Sequence, residues 1–239
     1  MKYMGSKNRL AKHILPIMES GRGERPWVEP FVGGANMIDK VSGVRIGGDA
    51  NEYVAAMLSE LSSGWTPRDD YTKDEYAHIR DNKSEYPPHL VGWVGINCSY
   101  CGKWFGGFAG ITETKGGVRD YQKESHRNAI RQAARLSGVR FEGSSYDSLE
   151  IPANSLIYCD PPYEGTTGYA SGFDHKRFWA WCRHKAAEGH IVYISEYTAP
   201  EDFDVVWERE VASSLSANGG GGGSKKSIEK LFKIIRKDP

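Results

Sequence analysis

Short runs of apolar, β-branched and aromatic residues alternate along the chain with longer stretches of helical character. The short runs predict strands at residues 27–31, 45–49, 139–142, 155–160 and 190–195. The longer stretches predict helices at residues 8–20, 52–61, 125–136 and 175–187. Because strands that alternate with helices form a parallel sheet covered by those helices, the pattern predicts an α/β fold.

The alternation changes near the carboxyl end. Residues 205–215 and 231–236 have the composition of strands, and a glycine run at 219–223 lies between them without a clear crossover helix. An antiparallel hairpin fits this order better than another parallel strand. Because the glycine run has maximal backbone freedom, we expect either a native loop or an engineered linker there.

A second interruption lies in the middle of the chain. Paired prolines, an aromatic and glycine-rich cluster at residues 100–108 and a stretch of turn-forming residues replace the alternating pattern there. Such a change indicates an insertion. We therefore predict a larger domain formed by residues 1–62 and 136–239, with a smaller domain, residues 63–135, inserted into it.

Composition and charge narrow the class of protein. The 239 residues carry 31 basic and 31 acidic side chains, so any affinity for nucleic acid has to come from local basic patches. The sequence has neither an apolar run long enough to span a membrane nor a secretory signal, and we expect a cytoplasmic protein. The four cysteines are few and unevenly spaced, which favours reduced thiols and predicts no metal site.

The sequence Asp160-Pro161-Pro162-Tyr163 begins at the last residue of the fourth predicted strand, so Asp160 is expected at the carboxyl edge of the sheet, where ligands bind. An amino group on an aromatic ring is a poor nucleophile. The Asp160 carboxylate and the Pro161 carbonyl can accept its hydrogens, and Tyr163 offers a flat face to an extrahelical base. The alternative interpretation is a strand that ends in an ordinary Asp-Pro turn.

A second candidate site lies upstream, where residues 28–36 predict a strand, a glycine turn and a helix. Gly33 in this turn allows a cofactor to approach the backbone closely. Asp49 closes the next predicted strand, a position from which a carboxylate accepts hydrogen bonds from ribose hydroxyls. The turn lacks the G-x-G-x-x-G pattern of dinucleotide sites, so a nucleoside cofactor without phosphates is favoured.

These motifs and their order resemble those of the Dam-type DNA adenine methyltransferases, particularly the short members carried by phages and prophages. The resemblance rests on residues 2–7, 29–36, 48–51 and 160–163. It implies a Rossmann-like S-adenosylmethionine-dependent methyltransferase fold with an inserted DNA-recognition domain. The cofactor implied is S-adenosyl-L-methionine, bound by Tyr3, Lys7, Glu29, Phe31, Gly33, Asp49 and Asp160. The catalytic residues implied are Asp160, Pro161, Pro162 and Tyr163, with Asp160 and Tyr163 at a flipped adenine.

The same resemblance implies double-stranded DNA as the partner, contacted through a hairpin in the inserted segment. The candidate DNA contacts are Tyr100, Lys103, Trp104, Lys115, Arg119 and Lys123. An aromatic ring, with Tyr100 favoured, would fill the gap that the extrahelical base leaves. A basic stripe at residues 127–135 fits either DNA contact or a solvated helix face. Residues 97–121 do not reproduce the hairpin of members that recognise GATC, so no recognition sequence is predicted.

The predicted function is therefore site-specific methylation of the exocyclic amino group of adenine in DNA, with a restriction endonuclease as a candidate partner in the cell. Two alternatives stay open. The amino group of cytosine, or of adenine in RNA, presents similar chemistry, although cytosine enzymes more often have Ser before the two prolines. A catalytically inactive DNA-binding relative is the second alternative, and the intact motifs argue against it.

Overall fold

The computed structural model describes residues 1–114, 116–164, 172–212 and 226–234. The helices are α1 (Ala11–Glu19), α2 (Glu52–Ser62), α3 (Lys73–Asp81), α4 (Pro88–Asn97), α5 (Tyr121–Leu136) and α6 (His175–Ala187). The strands are β1 (Trp27–Glu29), β2 (Arg45–Asp49), β3 (Ile111–Thr114), β4 (Gly117–Asp120), β5 (Val139–Gly143), β6 (Leu156–Cys159), β7 (Ile191–Glu196), β8 (Phe203–Ala212) and β9 (Lys226–Ile234).

A seven-stranded sheet in the order β5-β2-β1-β6-β7-β9-β8 organises the molecule. The strands from β5 to β7 in this order are mutually parallel, so their carboxyl ends share one edge. Strand β9 runs antiparallel between β7 and β8. This arrangement is that of the Rossmann-like methyltransferase fold, and the predicted fold class is confirmed.

Two apolar clusters cover the two faces of the sheet. Adjacent residues of β1 point to opposite faces: Trp27 belongs to the cluster under α1, α2, α4 and α5, and Val28 to the cluster under α6. Both side chains are fully buried. Burial on both faces explains why the parallel strands appear in the sequence as continuous apolar runs rather than as an alternation.

Helices α4 and α5 extend the first of these clusters. Trp93 on α4 and Leu136 on α5 are buried in the same cluster as Leu58 on α2. The hairpin β3–β4 instead forms a separate two-stranded sheet, with Ile111 and Val118 exposed. The division of the chain into two domains stays a prediction. Helices α3, α4 and α5 share their apolar core with helices α1 and α2.

The close contact between α4 and α2 depends on Gly92, because a Cβ there would lie 2.0 Å from the carbonyl oxygen of Tyr53. We expect Gly92→Ala to destabilise the fold by about 1–3 kcal/mol, since backbone would have to move to admit the methyl group. Gly21→Ala is the control, because no atom lies within 4 Å of a Cβ there. Urea denaturation measures both variants; equal stability of Gly92→Ala and the unmodified protein would contradict this packing.

The carboxyl-terminal strands pair as an antiparallel hairpin, as predicted. The prediction placed the start of its second strand at residue 231, whereas β9 begins at Lys226. Mostly polar residues at 226–230 conceal the start of this strand in the sequence, and backbone pairing with β8 stabilises it. The glycine run at 219–223 lies outside the described residues. No helix in the described ranges is both long and apolar enough to cross a membrane.

Candidate active site

An ion pair between Lys7 and Asp160 stands at the carboxyl edge of the sheet. Asp160 directly follows β6, and Lys7 begins a short 3-10 helix capped by the Ser6 side chain. The Nζ atom of Lys7 lies 2.9 Å from Oδ1 of Asp160 and donates a hydrogen bond to the Gly5 carbonyl at 3.2 Å. Two predicted site residues from distant parts of the sequence are thus in direct contact.

Burial and charge act in opposite directions on this pair. Burial raises the pKa of Asp160, and the Lys7 ammonium opposes that rise. Burial lowers the pKa of Lys7, but the carboxylates of Asp160 and Glu229 outweigh it and raise this pKa overall. The Lys7 ammonium therefore favours the ionised form of Asp160, a charged acceptor for hydrogen bonds.

Tyr163 lies beside this ion pair and is held at both its ring and its hydroxyl. The hydroxyl donates a hydrogen bond to Oε2 of Glu229 at 2.9 Å. The Lys7 ammonium lies over the ring at 4.6 Å from its centroid, and the Tyr197 ring packs nearly perpendicular to it at 4.7 Å. Burial, with the nearby carboxylates, raises the pKa of Tyr163 well above its usual value, so the hydroxyl remains a donor.

The turn that carries Tyr163 is anchored to the end of β7. One carboxylate oxygen of Glu196 accepts a hydrogen bond from the Glu164 amide at 3.2 Å, and the other accepts from the Tyr197 amide at 2.8 Å. Burial raises the pKa of Glu196 to about 7. The neighbouring parallel strand therefore fixes the backbone of the Asp-Pro-Pro-Tyr turn.

The glycine turn after β1 packs against Tyr3. Gly33 has a φ of +49°, and a Cβ there would lie 2.7 Å from the Tyr3 ring. A Cβ at Gly34 would lie 2.6 Å from the Cβ of Tyr3. Only glycine allows this close approach, which brings the amino-terminal motif and the glycine motif together.

Asp49 fastens the glycine turn to the end of β2. Its two carboxylate oxygens accept hydrogen bonds from the Gly33 amide at 3.0 Å and from the Asn51 amide at 2.9 Å. Burial raises the pKa of Asp49 to about 6, and the two amides oppose that rise. An open depression of about 380 Å³, lined in part by Asn51, Tyr53 and Trp104, begins directly beyond this strand end.

Glu29 and Phe31 frame the same turn. Glu29 is buried and accepts a hydrogen bond from Nε1 of Trp27 at 2.7 Å, and burial raises its pKa to about 8. Glu29 is therefore mostly protonated at neutral pH. Phe31 packs instead into an aromatic cluster, with its ring 5.5 Å from that of Tyr146 and 5.7 Å from that of Phe178.

The two aromatic residues predicted to contact DNA, Tyr100 and Trp104, differ in their exposure. Tyr100 is 61% exposed and projects from the segment before the β3–β4 hairpin. Trp104 is half-buried, stacks on Tyr53 at a ring distance of 5.8 Å and packs against Phe105. A ring held in this way supports the fold around α4, so of the two rings Tyr100 has the freer side chain.

The predicted basic contacts differ in their surroundings. Lys103 is exposed, whereas the guanidinium of Arg119 makes two hydrogen bonds to Glu124. Lys123 lies 3.7 Å from a carboxylate oxygen of Asp120. Lys115 lies outside the described residues. In the basic stripe on α5, Arg135 pairs with the buried carboxylate of Asp39, which gives this position a structural role.

Sequence analysis missed Glu229, Glu196 and Tyr197. Glu229 is 66 residues from Tyr163 and lies in the first part of β9, which the apolar pattern did not include in the predicted strand. Glu196 and Tyr197 stand at the end of a correctly predicted strand, next in the sheet to β6. The position of strand ends in parallel sheets would have identified these two residues, whereas Glu229 requires the register of β9 against β7.

The first part of the chain, with the amino-terminal and glycine motifs, matches a known protein family. Residues 3–85 match the model of the family described as D12 class N6 adenine-specific DNA methyltransferase. The resemblance to Dam-type adenine methyltransferases is confirmed. Over these residues the D12 match agrees with the predicted adenine-specific DNA methyltransferase, while the narrower resemblance to phage members stays a prediction.

The D12 match covers the segment that contains Tyr3, Lys7, the glycine turn and Asp49, and it ends before Asp160. No curated protein matches the chain. A similar solved structure is that of SMU.472, described as "a putative methyltransferase complexed with SAH". It is 11% identical with a TM-score of 0.40, and the similarity covers 98% of this chain and 53% of that one. The chain thus spans about half the length of that structure.

Proposed function

We propose that this protein transfers a methyl group from S-adenosyl-L-methionine to the exocyclic amino group of adenine in specific sites of double-stranded DNA. The observation that carries the proposal is the Lys7–Asp160 ion pair beside Tyr163 at the carboxyl edge of the sheet. It joins the D12-matched segment to the Asp-Pro-Pro-Tyr turn, which lies outside that match. A charged acceptor beside an aromatic ring is the chemistry that an adenine amino group requires.

The residues at this edge fit the proposed cofactor. The carboxyl groups of Asp49 and Asp160 at two strand ends suit a cationic ligand that carries ribose hydroxyls and no phosphates, and the buried Glu29 supports the turn between them. Tyr3 and the backbone of Gly33 would border this ligand, with Asp49 near its ribose. The cofactor supplies a methyl group activated by attachment to a sulfonium.

Asp160 and Tyr163 would act on the base. The Asp160 carboxylate and the Pro161 carbonyl would each accept a hydrogen bond from the amino group, which would free the nitrogen lone pair to take the methyl group that the cofactor would supply. The new carbon–nitrogen bond would replace the carbon–sulfur bond, so the cofactor would leave as S-adenosylhomocysteine. Asp160 then takes up the proton that the methylated nitrogen loses and passes it to water, while stacking on Tyr163 holds the flipped ring.

The middle segment, residues 63–135, would carry recognition of the DNA. Its hairpin β3–β4 projects from the core, and Tyr100 and Lys103 are exposed beside it. Contacts of this kind position a protein on the duplex through phosphates and occupy the gap left by an extrahelical base. Modification of specific sites also protects them from cleavage, so we include a restriction endonuclease among the partners in the cell.

Nucleoside analysis tests the proposal. Purified protein is incubated with methyl-labelled S-adenosylmethionine and duplex DNA, and the digested nucleosides are separated by mass. We expect the label in N6-methyladenine. Label in N4-methylcytosine, or transfer to RNA and not to DNA, would replace the proposal with one of the alternatives above.

Calorimetry separates an enzyme from an inactive DNA-binding relative. A cofactor site predicts saturable heat when S-adenosylmethionine is titrated into the protein, whereas a binder without this site gives none. Saturable binding together with absent transfer to any nucleic acid would contradict the proposed reaction.

The contact between Gly34 and Tyr3 gives a prediction for cofactor binding. Gly34→Ala would push Tyr3 away from the turn, because its Cβ would lie 2.6 Å from the Cβ of Tyr3 and 2.7 Å from the Asn36 side chain. We expect affinity for S-adenosylmethionine to fall by about ten- to a hundredfold, since displacements of about 1 Å in a site have effects of this order. Calorimetry with Gly21→Ala as control measures it; unchanged affinity would remove Tyr3 from the cofactor site.

A further inference from the structure

Glu229 is an acidic residue in the site that the proposed reaction does not use. It lies within β9, and its side chain is 14% exposed. One oxygen, Oε2, accepts the hydrogen bond from the Tyr163 hydroxyl at 2.9 Å and lies 3.9 Å from the Lys7 ammonium. The same carboxylate therefore contacts the residue proposed to stack on the base and the residue that holds Asp160 ionised.

The bond to Glu229 limits the freedom of the Tyr163 ring. A tyrosine on a turn can change the direction of its ring by rotation of two side-chain bonds. Here the backbone is anchored by Glu196, the ring meets Tyr197 and the hydroxyl is held by Glu229. A hydrogen bond to a charged acceptor is stronger than one between neutral groups, so this last contact fixes the far end of the ring.

Glu229 also acts on the position of Lys7. The ammonium is shared between two carboxylates, at 2.9 Å from Asp160 and 3.9 Å from Glu229, and it lies over the Tyr163 ring. Attraction to both carboxylates keeps the ammonium between Asp160 and Glu229, next to the Tyr163 ring. The three contacts make Lys7, Tyr163 and Glu229 a closed set in which moving one side chain moves the others.

We propose that Glu229 is a positioning residue, which orients the Tyr163 ring through its hydroxyl and thereby sets the affinity of the site for the extrahelical base. This inference rests on the proposed function. It assigns to β9, a strand outside the Asp-Pro-Pro-Tyr motif, a part in substrate binding. Because the ring contacts the base before and during transfer, its misorientation weakens binding more than it slows the chemical step.

The test compares Glu229→Ala, Tyr163→Phe and the double variant, with Glu208→Ala on the exposed face of the same hairpin as control. Each single variant is expected to raise the KM for DNA by about tenfold, the effect of one charge-assisted hydrogen bond, with a smaller change in kcat. The double variant should be much less impaired than the product of the two single effects, because both changes remove the Tyr163–Glu229 bond. Each change also removes a second contact, that of Glu229 with Lys7 or that of Tyr163 with Asp160. Glu229→Gln keeps an acceptor and should recover most of the lost affinity.

A fluorescent adenine analogue at the target position provides a second readout. Glu229→Ala and Tyr163→Phe should show the same altered emission of the extruded base, and Glu208→Ala should not. Multiplying effects in the double variant, or an unchanged KM and emission in Glu229→Ala, would overturn the inference. If Glu229→Ala does not fold, Tyr163→Phe and Glu229→Gln carry the comparison. Failure of the unmodified protein to methylate DNA would overturn the proposed function, and this inference with it.

Discussion

Asp160→Asn lowers kcat by about 10²–10³-fold in our account, while the fold and cofactor binding persist. The change is almost isosteric but replaces a carboxylate oxygen by an amide group that donates hydrogen bonds. The amide keeps one oxygen that can accept a hydrogen bond from adenine, but it carries no negative charge to attract the amino hydrogens or to pair with Lys7. Loss of one preorganised charged contact to the reacting group has an effect of this order. Single-turnover methylation of a duplex under saturating cofactor measures the rate of the chemical step directly.

The control for this variant is Asp204→Asn, which makes the same replacement at an exposed position of β8. It should methylate DNA at the rate of the unmodified protein. Denaturation curves establish that Asp160→Asn is folded. Turnover within a few-fold of the unmodified protein would show that the amino group does not depend on the Asp160 carboxylate.

Lys7→Met shifts the acidic limb of the pH–rate profile to higher pH. Burial raises the pKa of Asp160, and Lys7 opposes that rise, so loss of the ammonium raises this pKa further. Asp160 must be ionised to accept an amino hydrogen, and activity therefore appears only at higher pH. At mildly acidic pH we expect about a hundredfold loss of kcat/KM, as for removal of a positioned acid–base group, and a smaller loss in alkaline solution.

Lys7→Arg is the matched control, because it keeps a cation near Asp160. Its acidic limb should lie close to that of the unmodified protein, even if the larger side chain lowers the maximal rate. A Lys7→Met profile that falls uniformly at every pH, with its acidic limb in place, would contradict the electrostatic role and leave Lys7 as a packing residue.

The parallel part of the fold follows from the sequence because strands buried on both faces form continuous apolar runs. Strand β2, for example, begins and ends at the predicted residues, Arg45 and Asp49, and β6 ends one residue before Asp160. The apolar pattern did not detect strands β3 and β4, since each contains a single large apolar residue, Ile111 or Val118, which is exposed and belongs to no core. Helix α4 was also missed; it is apolar on all sides and contains two glycines, which removes the helical periodicity.

Within the site, sequence reasoning identified residues whose position follows from a strand end or a motif. Asp49 and Asp160 both close strands, and both lie at the expected edge. The contact of Lys7 with Asp160 depends on the path of the amino-terminal segment across the sheet, which local patterns do not encode. Glu229 depends on the register of an antiparallel strand, where a shift of one residue would turn the carboxylate to the other face.

Trp104 illustrates the opposite difficulty. Its aromatic and glycine-rich surroundings suggested a residue that enters DNA, yet the ring stacks on Tyr53 and fills the space above Gly95. A large apolar side chain in a turn-rich segment is equally suited to either place. Only the packing of α4 against α2 distinguishes Trp104 from the exposed Tyr100.

Sequencing that detects modified bases, applied to DNA from cells that express this chain, tests the central claim most directly. We expect N6-methyladenine at one short sequence context with the unmodified protein, and a much smaller modified fraction of those sites with Asp160→Asn at equal expression. Absence of modified adenine from both, or equal modification by both, would contradict the assignment of the Lys7–Asp160–Tyr163 site to adenine methylation.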